Sequence, residues 1–197
     1  MQHTFISQRT TTLLSAFLLT MPKSRVFHYT TGNKLSLIAD SAALTPTNVM
    51  VAPDEKAVLW FSANPLYEPT AIKLIMTSDR KAYRPTVAQL NDIVGVFRFG
   101  LDAGDARLLS FSRLPRLAHI SATDVSRMIA SGLRIGATPA HWTGTLVPIA
   151  VSELTFEAWS DGAWNPAPLH ETIARVQHNG KVIKSISAAA VGLTNMY

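Results

Sequence analysis

Two short apolar runs, each followed by polar side chains, constrain the fold of this chain more than any other feature. Residues 26–29 lead into Thr-Thr-Gly-Asn, and residues 57–61 lead directly into Ser62. Short, continuous apolar runs bounded by turn residues are typical of buried strands. Loops at strand ends often carry functional side chains, because the rigid sheet holds these loops in a fixed position. The two strand ends are therefore the first places to look for a site.

Local signals after these runs predict short helices between strands. Residues 30–33 offer a turn and a helix N-cap, and apolar positions in residues 35–39 predict a short helix. Pro85 suits the first turn of a helix that runs to about residue 92. Residues 94–101 alternate as a strand, with Arg98 between two phenylalanines.

The second half of the chain predicts one more helix and several strands. Residues 108–117 are strand or loop, because Pro115 argues against a central strand. A helix is expected from residue 122 or 123 through Ile129, with Gly132 and Gly136 ending it.

The last third of the sequence is dense in strand signals. Residues 146–151 and 154–159 are strand-like, and the turn at residues 160–162 predicts a hairpin. Asn179-Gly180 predicts a second hairpin, although the residues before it could equally form a helix that ends at this glycine. The pattern as a whole predicts a mixed α+β fold.

Composition limits the possible functions. The chain has 197 residues, of which 47% are hydrophobic, enough for one domain with a real core. It has no cysteine, which excludes disulfides, thiolate metal sites and cysteine nucleophiles and fits a cytoplasmic location. The net charge of +5 favours an anionic partner, such as a nucleic acid or a nucleotide.

The first residues differ from the rest of the chain. Residues 1–24 are interpreted as an N-terminal extension, and residues 25–197 as a single α+β domain. Apolar residues 13–21 would also fit the hydrophobic region of a secretory signal, which leaves secretion open. That stretch is too short to span a membrane.

Several common catalytic and cofactor motifs are absent from the sequence. It has no phosphate-binding P-loop, no glycine-rich dinucleotide fingerprint, no HExxH pair and no GxSxG turn. No two histidines are spaced as a local zinc pair, so no metal site is predicted. His28 remains of interest because it lies beside a tyrosine at a strand end, although a histidine there could simply hydrogen-bond a neighbouring loop.

The segment FHYTTGNKLSLIADSAAL followed by VLWFS resembles the opening of the ADP-ribosyltransferase fold. HYTTGNKLSLI is similar to the toxin-type members that act on DNA, and WFSANPLYEPTA resembles a family of uncharacterised bacterial proteins. The likeness covers residues 26–71 and extends to the rest of the chain only in strand order. It implies an ADP-ribosyltransferase-like split antiparallel sheet core with short helices.

The resemblance also implies roles for particular residues. In that family the first core strand carries a histidine, and the next strand carries a serine, threonine or tyrosine. His28 would then bind the ribose of NAD with Thr30 beside it, and Ser62 would line the opposite side of the cleft. The remaining candidates for contact with NAD are Tyr29, Asn64 and Tyr67.

A glutamate on a late strand completes the family's pattern, where it would orient the ribose or activate the acceptor. Glu157 and Glu153 are equal candidates, and Glu68 is close behind them. A glutamate at these positions could also face solvent, which is the commoner environment for this residue.

The resemblance therefore implies NAD-dependent transfer of ADP-ribose to a macromolecule, with nucleic acid favoured over protein because the chain is basic. The alternative is a non-catalytic binding protein of phage or plasmid origin that keeps the fold. Clustering of His28, Ser62 and one glutamate in a single cleft would favour the enzyme, and an occupied apolar cleft would favour the binding protein.

Overall fold

Seven antiparallel strands form one sheet at the centre of the protein. A computed structural model describes residues 24–47, 51–72, 74–76 and 80–178. Its strands are β1 (Arg25–Thr31), β2 (Ala43–Leu44), β3 (Leu59–Ser62), β4 (Ile75–Met76), β5 (Ala82–Tyr83), β6 (Val96–Asp102), β7 (Leu109–Ser110), β8 (Trp142–Thr145), β9 (Ile149–Ala150), β10 (Thr155–Ser160) and β11 (Ala163–Pro166). The large sheet has the order β11-β10-β6-β1-β3-β8-β7, and β2–β9 and β4–β5 form two separate pairs.

Five helices accompany these strands in the described residues. They are α1 (Gly32–Ser41), α2 (Val87–Val94), α3 (Leu114–Ala118), α4 (Ala122–Arg134) and α5 (Leu169–His178). Short 3₁₀ segments lie at Pro69–Ala71, Pro139–His141 and Val151–Glu153. The mixed α+β class predicted from the sequence is confirmed. Across the described ranges, no helix is both long and apolar enough to cross a membrane.

Strand alternation divides the polar residues of β1 and β3 between the two faces of the sheet. His28 and Tyr29 are consecutive in β1 and therefore point to opposite faces. Tyr29 pairs with Arg98, and Phe27, on the same face as Tyr29, pairs with Ser62. Directly paired residues share a face. We call the two faces the His28 face and the Arg98 face.

The main core lies on the His28 face. Its buried side chains come from β1, β3 and β6 together with α1, β2 and β9: Val26, Leu35, Leu44, Leu59, Phe61, Phe97, Phe99, Leu101 and Ile149. Half-buried residues of α5, including Ile173 and Val176, pack against this core. On the Arg98 face, Leu90 of α2 packs in a second cluster with Tyr67 and Val96.

Several element boundaries differ from the expectations. Residues 108–117 contain a two-residue strand and then α3, because Pro115 lies in the first helical turn, where its missing N–H costs nothing. Pro85 precedes α2, whose N-cap is Thr86. Helix α4 does not end at Gly132 but continues to Arg134, and Gly132 is buried within it.

The end of the described chain resolves one alternative. The residues before Asn179-Gly180 form α5, as the helical alternative predicted. The second hairpin at residues 179–180 and most of the extension at residues 1–24 lie outside the described residues.

We predict that Gly32→Ala destabilises the protein. A Cβ at this position would lie 2.4 Å from the carbonyl oxygen of Val94, so α1 would have to move away from the end of α2. Overpacking of this kind costs about 1–3 kcal/mol, although alanine is otherwise the better helix former. The measurement is the free energy of unfolding in urea. Gly104→Ala, where the nearest atom is a carboxylate oxygen at 3.3 Å, is the control. Equal stability of the two variants would contradict the close packing at Gly32.

Candidate functional site

Ser62 and Glu68 meet in a buried polar contact on the Arg98 face. The Ser62 hydroxyl donates to Glu68 Oε2 at 2.7 Å, and both residues are at most 5% exposed. The other carboxylate oxygen accepts hydrogen bonds from the backbone N–H and the hydroxyl of Thr70, at 3.3 and 2.9 Å. Each carboxylate oxygen of Glu68 therefore accepts a hydrogen bond from Ser62 or Thr70. These bonds connect the loop to the end of β3.

Asn64 organises the turn that follows β3. Its side-chain amide donates to the carbonyl of Tyr67 at 2.8 Å, and its side-chain oxygen accepts from the backbone N–H of Leu66 at 3.0 Å. The Tyr29 hydroxyl donates to the Asn64 backbone carbonyl at 2.5 Å. These bonds attach the loop of residues 63–68 to strand β1.

Three aromatic rings cover this loop. The ring centroids of Tyr29 and Tyr67 are 4.7 Å apart, and Trp164 stacks on Tyr67 at 6.2 Å with an 8° angle between planes. The Trp164 indole N–H donates to the carbonyl of Leu66 at 2.6 Å. The two tyrosines that could have stacked on NAD instead stack within the protein.

Arg98 lies at the centre of the same face and is 7% exposed. Its Nε donates to Glu157, and one terminal nitrogen donates to the carbonyl of Pro65 at 2.6 Å. The guanidinium also lies over two aromatic rings, 3.7 Å from the centroid of Phe27 and 4.5 Å from that of Trp164. Glu157 thus faces neither open solvent nor a cleft with His28, because it neutralises a buried arginine.

Glu153 lies in a separate ion-pair network. Arg107 binds Glu153 and Asp105 at 2.7 and 2.6 Å. The hydrogen bond from Arg107 holds the pKa of Asp105 down at about 2 and also lowers the pKa of Glu153. Both carboxylates are therefore ionised at neutral pH.

His28 and Thr30 lie on the other side of the sheet. Nδ1 of His28 is 2.9 Å from the carbonyl oxygen of Trp60 and must carry the proton, since the carbonyl only accepts. The imidazole also packs edge-on against Phe61, with centroids 5.9 Å apart, and Thr30 is 9% exposed.

The structure therefore divides the sequence-predicted site. Six of the candidate residues lie together on the Arg98 face: Tyr29, Ser62, Asn64, Tyr67, Glu68 and Glu157. His28 and Thr30 lie on the opposite face, and Glu153 lies with Arg107. The cluster of His28, Ser62 and one glutamate does not form. Ser62 pairs with Phe27 and shares its face, whereas His28 follows Phe27 in β1 and points to the opposite face.

A cavity of about 340 Å³ lies at the end of β1, β3, β8 and β7. Its lining residues combine small apolar side chains with two hydroxyls and two nitrogen-containing rings: Val26, Ala63, Ala103, Leu108, Ser110, Ala140, His141, Trp142 and Thr143. Thr143 pairs with Phe61, which contacts the His28 ring. Val26 and Thr143 therefore line the cavity from the His28 face, whereas Trp142, which pairs with Ser62, lies on the Arg98 face, so the cavity is at the end of the sheet.

Two lining residues have buried nitrogen atoms without a hydrogen-bond partner in the described part of the chain. These are Nδ1 of His141 and Nε1 of Trp142. Buried polar nitrogens are nearly always paired in folded proteins, so each exception requires an explanation. Sequence reasoning missed both residues. Their signal was the adjacent His141-Trp142 pair ahead of the strand-like Thr-Gly-Thr, but only the fold places it beside β3.

The described residues contain no group of three or more histidines and acids arranged to hold a metal ion. The fold and the two faces thus define a mixed α+β protein with one large antiparallel sheet and a cavity at its edge. No family model, curated protein or solved structure matches the chain.

We predict that Ser62→Ala lowers the free energy of unfolding by about 2 kcal/mol, because it leaves a buried oxygen of Glu68 without a donor. Urea denaturation measures the change. Ser112→Ala removes an equivalent hydroxyl from an exposed site and should change stability by less than about 0.5 kcal/mol. If both variants were equally stable, the Ser62–Glu68 contact would not support the loop.

We also predict a loss of stability at alkaline pH that depends on Tyr29. Burial raises the pKa of this phenol to about 12, against an opposing effect of Arg98. An unfolded tyrosine titrates near pH 10, so between about pH 10 and 12 the unfolded chain releases a proton that the folded chain retains. The free energy of unfolding must therefore fall as the pH rises through this window.

Tyr29→Phe tests the assignment by urea denaturation at a series of pH values. The variant loses a hydrogen bond at every pH, but its stability should decline less steeply than that of the wild type above about pH 10. Parallel curves for the two proteins would show that Tyr29 does not carry the effect.

Proposed function

We propose that the chain is a nucleotide-binding protein that keeps an ADP-ribosyltransferase-like framework without glutamate-dependent transfer, and that NAD is its ligand. The observation that carries the proposal is the engagement of the candidate glutamates elsewhere. Glu68 is bonded within its loop, and Glu157 is paired with Arg98. No carboxylate is among the described residues that line the cavity at the end of the sheet.

The lining of the cavity supports binding of a small polar ligand. Its volume is at the lower end of the range for small-molecule sites, about 300–1,000 Å³. It could hold one half of a dinucleotide, such as a base with its ribose. Apolar Val26 and Leu108 would contact a ring, and the hydroxyl of Ser110 and the nitrogens of His141 and Trp142 could bind polar edges.

The described part of this lining offers no carboxylate, which argues against transfer chemistry. Cleavage of the bond between nicotinamide and ribose builds positive charge on the sugar. A glutamate would orient the ribose hydroxyl or activate the acceptor, as proposed from the family resemblance. His28 can donate from only one imidazole nitrogen while neutral, and Nδ1 is already bonded to Trp60. It could help to position a ligand but cannot replace the carboxylate.

One observation favours the transferase as a second candidate. Arg107 precedes the lining residue Leu108 and holds Glu153 by a bidentate contact. Arg107 therefore holds Glu153 close to the residues that line the cavity. If it contributes to a reaction, it does so from the rim.

We predict that NAD binds to the full-length chain, as measured by calorimetry, and that Ala63→Trp weakens this binding at least about tenfold by filling the cavity. Ala88→Trp places the same bulky residue on the exposed surface of α2 and should bind NAD like the wild type. A folded wild-type protein that gives no heat with NAD would overturn the proposed ligand.

The same samples distinguish binding from catalysis. We expect no release of nicotinamide, with or without DNA or protein as acceptor. Release of nicotinamide that Glu153→Gln abolishes, while NAD binding is kept, would overturn the non-catalytic assignment and establish the transferase.

A further inference from the structure

The positive charge of the chain is concentrated in one segment. Residues 106–152 contain five arginines and one aspartate, which gives a formal charge of +4, compared with +5 for the whole chain. This segment runs from β7 through α3 and α4 to β9. The rest of the chain is therefore close to neutral.

Two of the five arginines are neutralised by acidic neighbours. Arg107 binds Asp105 and Glu153, and Arg127 binds Asp124 at 2.9 Å. Asp124 is the only acid of the segment. The remaining three arginines are exposed and form no ion pair with another described residue: Arg113, Arg116 and Arg134.

A series of contacts links the elements that carry these three arginines. Arg113 and Arg116 are three residues apart, a spacing that puts neighbouring side chains about 5–6 Å apart on a helix surface. Leu114 of α3 lies against the backbone of β8 at Gly144, so α3 packs on the sheet.

Arg134 is connected to the same surface through aromatic contacts. It ends α4, in which Gly132 lies under the Trp142 ring. Trp142 in turn packs edge-on against Phe111, with centroids 5.0 Å apart. Phe111 is two residues before Arg113, so these contacts connect the last turn of α4 to the start of α3.

Exposed hydroxyl donors accompany the arginines. Ser110 and Ser112 flank Phe111, and their hydroxyls are 2.9 Å apart. Arginine side chains together with serine hydroxyls are the groups that bind phosphate oxygens in complexes with nucleic acids.

We propose that this surface, formed by Arg113, Arg116 and Arg134 with Ser110 and Ser112, binds the phosphate backbone of a nucleic acid. These three arginines form no ion pair with a described acidic residue. Several such charges favour a polyanion over a single small anion. The contacts involve the sugar-phosphate backbone, so the binding is insensitive to base sequence. This inference does not depend on the proposed binding of NAD.

The salt dependence of DNA binding tests the proposal. The full-length chain is titrated into a fluorescein-labelled DNA duplex, and anisotropy gives the binding constant at several salt concentrations. The triple variant Arg113→Gln, Arg116→Gln, Arg134→Gln loses three phosphate contacts. Its slope of log K against log salt should be shallower by about 2.7. Between about 50 and 200 mM salt, the wild type should therefore lose about 40-fold more affinity than the variant.

Two matched variants distinguish a localised surface from general charge. Arg25→Gln, Lys34→Gln, Arg175→Gln removes three exposed charges outside the segment and should keep the wild-type slope. Arg113→Lys, Arg116→Lys, Arg134→Lys keeps the charge and should also keep most of the slope, which controls for damage to the fold. Equal slopes for the two glutamine variants would overturn the proposal. Binding to phosphatidylserine vesicles without binding to the duplex would also overturn it.

Discussion

The buried ion pair between Arg98 and Glu157 is the interaction on which the Arg98 face depends. Arg98 lies on β6, between β1 and β10 in the sheet, and is 7% exposed. A guanidinium in this position must be satisfied by several acceptors, because an unpaired buried charge costs several kcal/mol. Glu157 supplies one acceptor and the carbonyl of Pro65 another. The hydrogen bond from the buried Arg98 to Pro65 thus holds the loop after β3 against the sheet.

This constraint explains why so many polar residues near the ends of β1 and β3 are structural. Once Pro65 is fixed over Arg98, Asn64 is within reach of the Tyr29 hydroxyl, and Glu68 is within reach of Ser62. Each polar group of the loop then finds a partner inside the protein, as buried polar groups nearly always do. At the cavity, by contrast, two buried nitrogens have no partner in the described chain. The proposed ligand site is therefore the cavity and not Ser62 and its neighbours.

Local signals predicted the elements that depend on local interactions. Strand β1, the turn at residues 160–162 and the start of α4 follow from periodicity and turn residues, which act over a few positions. The faces of Ser62 and Glu157 could not be predicted, because they depend on the pairing of strands that are far apart in sequence. Helix α3 was missed because Pro115 was weighed only against a strand, although proline also suits a first helical turn. Arg98 gave a signal, as a charge within an apolar strand, but its partner Glu157 is 59 residues away.

The cavity and the basic surface meet at one end of the sheet, and this arrangement bears on how the two could act together. Val26 and Thr143 line the cavity on the His28 face, whereas α3 packs against β8 at Gly144 on the other face. Two residues belong to both. Trp142 lines the cavity and packs on Phe111 beside Arg113, and Ser110 lines the cavity and forms part of the arginine surface. Substitutions at sites without shared contacts generally act independently, and substitutions at a shared contact do not. Any coupling between a nucleotide in the cavity and a nucleic acid on the arginine surface should therefore pass through Trp142 and Ser110.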